Sequence, residues 1–170
     1  MGFDAAFTLG RYEGAIRDAC LQLKKRNGAW LAHWLSELLF ERHGDQLRAT
    51  GAAAVVPLPL YWFRRWRRGF NQAEILAEGL AARLRLPVRH SLRRTTNTPK
   101  LASLSRTERA SVMRSAFTAR REGQWNGRTV LLVDDIMTTG ATCGAAARAL
   151  KQAGAKRVVV VVVARAEKGS

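Results

Sequence analysis

Asp134 and Asp135 stand side by side straight after the apolar run Val130-Leu131-Leu132-Val133. Thr138-Thr139-Gly140-Ala141-Thr142 follows almost at once, leading into the alanine-rich stretch Cys143 to Ala153. Two adjacent carboxylates can accept hydrogen bonds from sugar hydroxyls, or hold a Mg²⁺ directly or through water. A threonine turn around a glycine lets successive N–H groups converge on one point. With three hydroxyls and a helix dipole behind them, those donors make an anion cradle of monophosphate size. No lysine follows the glycine, so this is not a Walker A loop. Either half alone is a common strand end or helix cap; the uninterrupted combination is much rarer.

A second cluster lies upstream. Leu58 opens a loop in which Arg64, Arg65, Arg67 and Arg68 alternate with Trp62, Phe63, Trp66 and Phe70. Guanidinium forks suit phosphate oxygens. The same mixture could stack the bases of a single-stranded nucleic acid while the arginines follow its backbone. Other reactive residue types are scattered. His33, His43 and His90 have no ligand spacing, and Cys20 with Cys143 forms neither a zinc ribbon nor a disulfide framework. A helix N-terminus can lower the pKa of Cys143, but a small buried residue is the expected role. Met137 is expected to fill space.

The elements that must carry these groups follow from periodicity. Asp4 to Leu9 reads as a short strand or extended lead-in. Ala15, Ile16, Ala19 and Leu23 then recur at helical spacing, with Lys24, Lys25 and Arg26 where they suit the helix dipole. A second helix with Leu31, Trp34, Leu35, Leu38 and Leu39 on one stripe should end near His43-Gly44, with Trp30 and Trp34 packed inward. Ala52 to Val56 is a buried strand. Asn71 caps a helix to about Leu84 in a capping-box-like pattern with Glu74, its apolar face Ile75, Leu76, Leu80 and Leu84. Val88 to Leu92 is a short strand, 105–114 a short helix and Ala116 to Ala119 another strand. Asn126-Gly127 turns the chain into a strand from Arg128 to Val133, so both acids lie at its carboxyl end. Gly154 closes the alanine-rich helix. The unbroken valine run from Arg157 to Ala164 suits a strand covered on both faces. The alternation predicts an α/β fold with a doubly wound, mainly parallel sheet. One domain over 1–170 is expected, with a helical segment over 1–50 attached to an α/β core over 51–170.

The 170 residues carry 29 Lys and Arg against 13 Asp and Glu, a formal charge of +16. Eleven of those cations fall between Arg83 and Arg121 against one acid, Glu108. Such a field favours polyanionic partners. No apolar run approaches the roughly 20 residues that span a bilayer, and the first residues lack the order of a signal peptide. A cytoplasmic protein without transmembrane segments is expected.

The run V-L-L-V-D-D-I-M-T-T-G-A-T resembles the motif with which type I phosphoribosyltransferases bind 5-phosphoribosyl-1-diphosphate (PRPP). The resemblance implies that Asp134 and Asp135 bind the ribose hydroxyls and that Thr138, Thr139, Gly140, Ala141 and Thr142 bind the 5′-phosphate. It also implies a type I phosphoribosyltransferase-like fold and Mg²⁺ held through Asp134 and Asp135. Val56-Pro57-Leu58-Pro59-Leu60, then Arg64 and Arg68-Gly69-Phe70-Asn71-Gln72, is similar to the ComF/GntX family. Tyr12-Glu13-Gly14 with Lys24, and Arg94-Thr95 through Leu104, Arg109 and Ala116-Phe117, fit the same pattern. By position in that family, the loop from Leu58 to Arg68 would take the diphosphate end of PRPP. Many members begin with a four-cysteine zinc ribbon that this chain lacks, so no zinc is expected. Leu101 stands where the pattern has glutamine and Val112 where it has asparagine. Two functions are implied. One is an enzyme that transfers a phosphoribosyl group from PRPP to a nitrogenous nucleophile, although no residue marks an acceptor base. The other is a single-stranded DNA-binding accessory factor in DNA uptake during natural competence, without turnover, working with a helicase.

Overall fold

The computed structural model describes residues 2–25, 27–60, 69–95, 116–120 and 125–166. Arg64, Arg65, Arg67, Arg68, Leu101, Val112 and the expected 105–114 helix lie outside them.

The described residues form six strands and four helices in the order β1 (Ala5–Arg11), α1 (Gly14–Gln22), α2 (Ala29–Ala49), β2 (Ala52–Pro57), α3 (Gln72–Leu84), β3 (Leu92–Arg94), β4 (Phe117–Ala119), β5 (Thr129–Met137), α4 (Ala141–Gln152) and β6 (Arg157–Arg165). Four strands form a wholly parallel sheet in the order β1-β6-β5-β2. The α/β architecture expected from the alternation of elements is therefore present. The first fifty residues contribute an edge strand to that sheet as well as two helices. Asp4 secures the strand's entry, accepting the Val158 N–H at 2.7 Å and pairing with Lys151 at 2.8 Å.

Alternation along the central strands divides the interior in two. Val130, Leu132, Val158, Val160 and Val162 face α4 and the β3–β4 hairpin. Leu131, Val133, Val159, Val161 and Val163 face α1, α2 and α3. Every valine from Val158 to Val163 is fully buried, and each such side chain is worth about 1.5–3 kcal/mol. A slip of one residue would exchange the two faces. On the second face α2 and α3 meet closely at Ser36 and Gly79, where an added Cβ would overlap Ser36 Oγ.

Several sequence expectations need adjustment. Helix α2 continues through Gly44 to Ala49, because Leu47 extends its buried stripe past the glycine. Trp30 and Trp34 do not pack inward; they are 67% and 53% exposed. The covered stripe is Leu31, Ala32, Leu35, Ser36 and Leu39, and each tryptophan lies one helical step beside it. Only Val88 of the expected Val88–Leu92 strand pairs with β2, as a single parallel bridge to Val55. Arg89 and His90 are exposed, and the real strand, β3, pairs antiparallel with β4. Finally, β5 runs past both aspartates to Met137, because β6 supplies partners as far as Arg165. Gly154 ends α4 as expected, at φ 99°, with the Ala155 and Gly154 N–H groups returned to Leu150 and Lys151.

Candidate active site

The direction of the connections locates a crevice. From β2 the chain passes through α3 on one face to the Val88 bridge on the outer edge of β2. From β5 it passes through α4 on the other face to β6, in the opposite direction. The topology therefore reverses between β2 and β5, and ligands of open parallel sheets bind beyond the carboxyl ends of strands at such a point. Leu58 follows β2 there, and Asp134 and Asp135 stand in the carboxyl-terminal part of β5.

Strand β2 accompanies β5 only to Pro57 opposite Val133, and the Leu58 N–H donates to the Val133 carbonyl at 2.8 Å. Beyond that point the carboxylates accept N–H groups of their own strand. Asp134 Oδ1 accepts from Asp135 N, and Asp135 Oδ1 from Ile136 N, each at 2.8 Å. Two cations approach from opposite sides of the sheet. Lys24, just beyond α1, places Nζ 3.9 Å from Asp135 Oδ2. Arg94, on β3, exerts a positive field on Asp134 and lies 5.5 Å over the Phe117 ring. Burial, and then the charge of Asp135, hold the Asp134 carboxyl well above the usual range; the Asp135 N–H and Arg94 oppose this without offsetting it. Asp134 thus takes up a proton more readily than an isolated aspartate. Sugar hydroxyls or a cation brought between the two carboxylates would relieve the repulsion.

The turn that follows is open to solvent. Thr138, Thr139 and Ala141 are exposed, while Gly140 and Thr142 are partly so. Thr139 Oγ1 accepts the Ala141 N–H at 3.3 Å. Gly140 is the N-cap of α4 at φ 72°, and its carbonyl accepts the Gly144 N–H at 2.8 Å. Only glycine takes that dihedral without strain, and a Cβ there would press on the Phe3 ring at 3.4 Å. Met137 is buried behind the turn, as its space-filling role requires. Cys143 is buried too. Burial, then the charges of Asp134 and Asp135, push its thiol up, against the lowering that a helix N-terminus alone would cause.

Leu58 is buried in the first core, so its side chain does not face a ligand; its contribution is backbone. The Leu58 carbonyl accepts Asn71 Nδ2 at 3.1 Å, while Asn71 Oδ1 caps α3 by accepting the Ala73 N–H. The next residue, Gln72, donates Nε2 to the Leu23 carbonyl at 3.1 Å. Both amides are buried. The sequence marks Asn71 as a cap but does not reveal that it holds the loop after β2, nor that Gln72 reaches back to α1. Likewise Lys24 reads as a helix-dipole residue; its place beside Asp135 depends on how α1 packs. Among the described residues no three His, Cys, Asp or Glu side chains form a metal cage. Among the described residues, cavities of about 550 and 520 Å³ flank Trp34 on α2, and neither includes the acid pair.

Comparison with known proteins identifies the family of the fold. Residues 67–170 match the phosphoribosyl transferase domain family. Over 169 residues the chain is 31% identical to Competence protein F of Haemophilus influenzae, covering 96% of this chain and 74% of the relative. It is 33% identical over 162 residues to DNA utilization protein YhgH of Escherichia coli, covering 93% and 70%. It is 38% identical over 100 residues to Competence protein ComFC of Bacillus subtilis, covering 59% and 39%. The fold and site define a domain of the type I phosphoribosyltransferase superfamily, and within it the chain belongs to the ComF family.

Proposed function

We propose that this chain binds PRPP together with Mg²⁺ and transfers its phosphoribosyl group. One observation carries the reading: an acid pair flanked by cations stands at the switch point of the sheet, immediately before an exposed Thr-Thr-Gly-Ala-Thr turn. In this reading Asp134 and Asp135 accept the ribose hydroxyls. The N–H groups and hydroxyls of residues 138–142 take the 5′-phosphate at the start of α4. Two carboxylates without a third ligand suit Mg²⁺, which is commonly held by one or two carboxylates and the phosphates of its substrate. Transfer breaks the bond between C1 of the ribose and the diphosphate, which leaves with the electron pair, and forms a bond from C1 to the nitrogen nucleophile. The anionic pair and the basic loop would stabilise the charges that develop at the ribose and at the departing diphosphate.

Calorimetry with PRPP and Mg²⁺ tests the site. Wild-type protein should bind, and Asp135→Ala combined with Thr139→Ala should weaken binding by about a hundredfold or more, the loss expected for two charge-assisted hydrogen bonds. Absence of heat with folded wild-type protein would end the proposal.

A second reading is supported by the net charge of +16 and by relatives named for competence and DNA utilization. Here the chain is an accessory factor that holds single-stranded DNA in the cytoplasm during uptake, without turnover and beside a helicase, using Arg64, Arg65, Arg67 and Arg68. The two readings do not exclude each other.

A further inference from the structure

Lys24 is tied to the site by more than proximity. Asp135 has two carboxylate oxygens with different partners: Oδ1 accepts the Ile136 N–H at 2.8 Å, and Oδ2 faces Lys24 Nζ at 3.9 Å. The hydrogen bond holds Oδ1, the lysine charge biases Oδ2 from ion-pair range, and each oxygen keeps a lone pair for a further donor. Asp135 is only 18% exposed and Lys24 33%, so water screens the pair less than at an open surface.

The backbone that carries Lys24 is itself held. Leu23 is fully buried, and its carbonyl accepts the Gln72 amide. A Cβ on Gly28 would overlap the carbonyl oxygens of Gln22 and Leu23, so the turn beyond α1 closes tightly on itself. Gln72 is the first residue of α3, next to Asn71, which holds the loop after β2 through Leu58. Cys20, buried one turn earlier on α1, senses the same surroundings. Burial and then the charge of Asp135 push its thiol up to about 12, with Lys24 opposing.

We propose that Lys24 is a positioning residue of the ribose site, orienting Asp135 from the turn just beyond α1 and seated there by the Gln72 bond to Leu23. This deepens the PRPP reading and rests on it. Lys24 does not touch the reacting atoms; it fixes the direction in which Asp135 presents its free lone pairs, so the sugar meets an acid already aligned.

The test compares Lys24→Met and Lys24→Arg with wild type by calorimetry with PRPP and Mg²⁺, by thermal melting, and by the ¹³Cγ resonance of Asp135 in ligand-free protein. Lys24→Met should melt close to wild type, move the Asp135 resonance, and weaken PRPP binding by about fivefold, the scale of a partly exposed ion pair. Lys24→Arg should recover most of the affinity. An unmoved resonance with unchanged affinity overturns the proposal. So does a fall in melting temperature and affinity together while the resonance stays in place, since that marks a purely structural lysine. Failure of the underlying reading shows separately, as folded wild-type protein that takes up no PRPP while the resonance still reports whether Lys24 holds Asp135.

Discussion

Asp134 shows what the site costs the fold. Its carboxyl lies above the usual range because it is withdrawn from much of the solvent and stands beside Asp135. From the unfolded titration upward, the folded protein therefore holds a proton that the unfolded chain has released. Stability should fall as pH rises through the window between the unfolded and folded values. Asp134→Asn keeps the oxygen that accepts the Asp135 N–H and removes the titration. It should melt higher than wild type at neutral pH and converge with it below the ordinary carboxylate range. Ligand-free melting across a pH series checks this, and identical curves at every pH would count against the interacting pair. At this scale the sequence was legible where chemistry is local. The adjacent acids and the threonine turn are consecutive residues, and any fold that keeps them together keeps their chemistry. Lys24 was legible as a charge at a helix end and as a residue of the family pattern, but not as a neighbour of Asp135, which lies more than a hundred residues away.

Elements convert those residues into a site through two buried amides. Asn71 both caps α3 and holds the Leu58 carbonyl, so two substitutions separate its roles. Asn71→Asp keeps the cap and loses the donor; Asn71→Ala loses both. The alanine variant should be destabilised by about 2–3 kcal/mol, a lost cap plus an unpaired buried carbonyl. The aspartate should also be unstable at neutral pH, because its charge would face that carbonyl, and acid should partly restore it. Denaturant titration at two pH values measures both effects, and a variant as stable as wild type would show that the loop needs no such tie. Periodicity found α2 but misjudged its tryptophans. Helical spacing shows that Trp30 and Trp34 share a stripe; the width of the covered face depends on how closely α3 approaches, and that is set at Ser36 and Gly79. Similarly, β5 continued through the aspartates because β6 was there to pair with it, which no local pattern in β5 could show.

For the whole molecule, the charge of +16 makes ionic strength a means of separating ligands. Single-stranded DNA should bind with a steep inverse dependence on salt. Replacing Arg64, Arg65, Arg67 and Arg68 by glutamine should reduce the logarithmic slope by about 0.7 for each phosphate that the loop no longer neutralises, as read by fluorescence anisotropy over a salt series. An unchanged slope would remove that loop from the DNA reading, and PRPP binding should still depend on Asp135 and Thr139. No described helix is long and apolar enough to cross a membrane. The sequence by itself determined the strand that carries two adjacent acids, the turn that follows it, and the alternation of buried strands and helices. These are properties of neighbouring residues and of short periods along the chain. Only the tertiary structure decided that Lys24 and Arg94 approach the acids from opposite faces and that Asn71 and Gln72 bind the loop after β2 and the end of α1 into one frame. It also decided that the tryptophans remain outside. Each of these depends on packing between segments distant in sequence, whose geometry is set by how the sheet and its two helical layers meet.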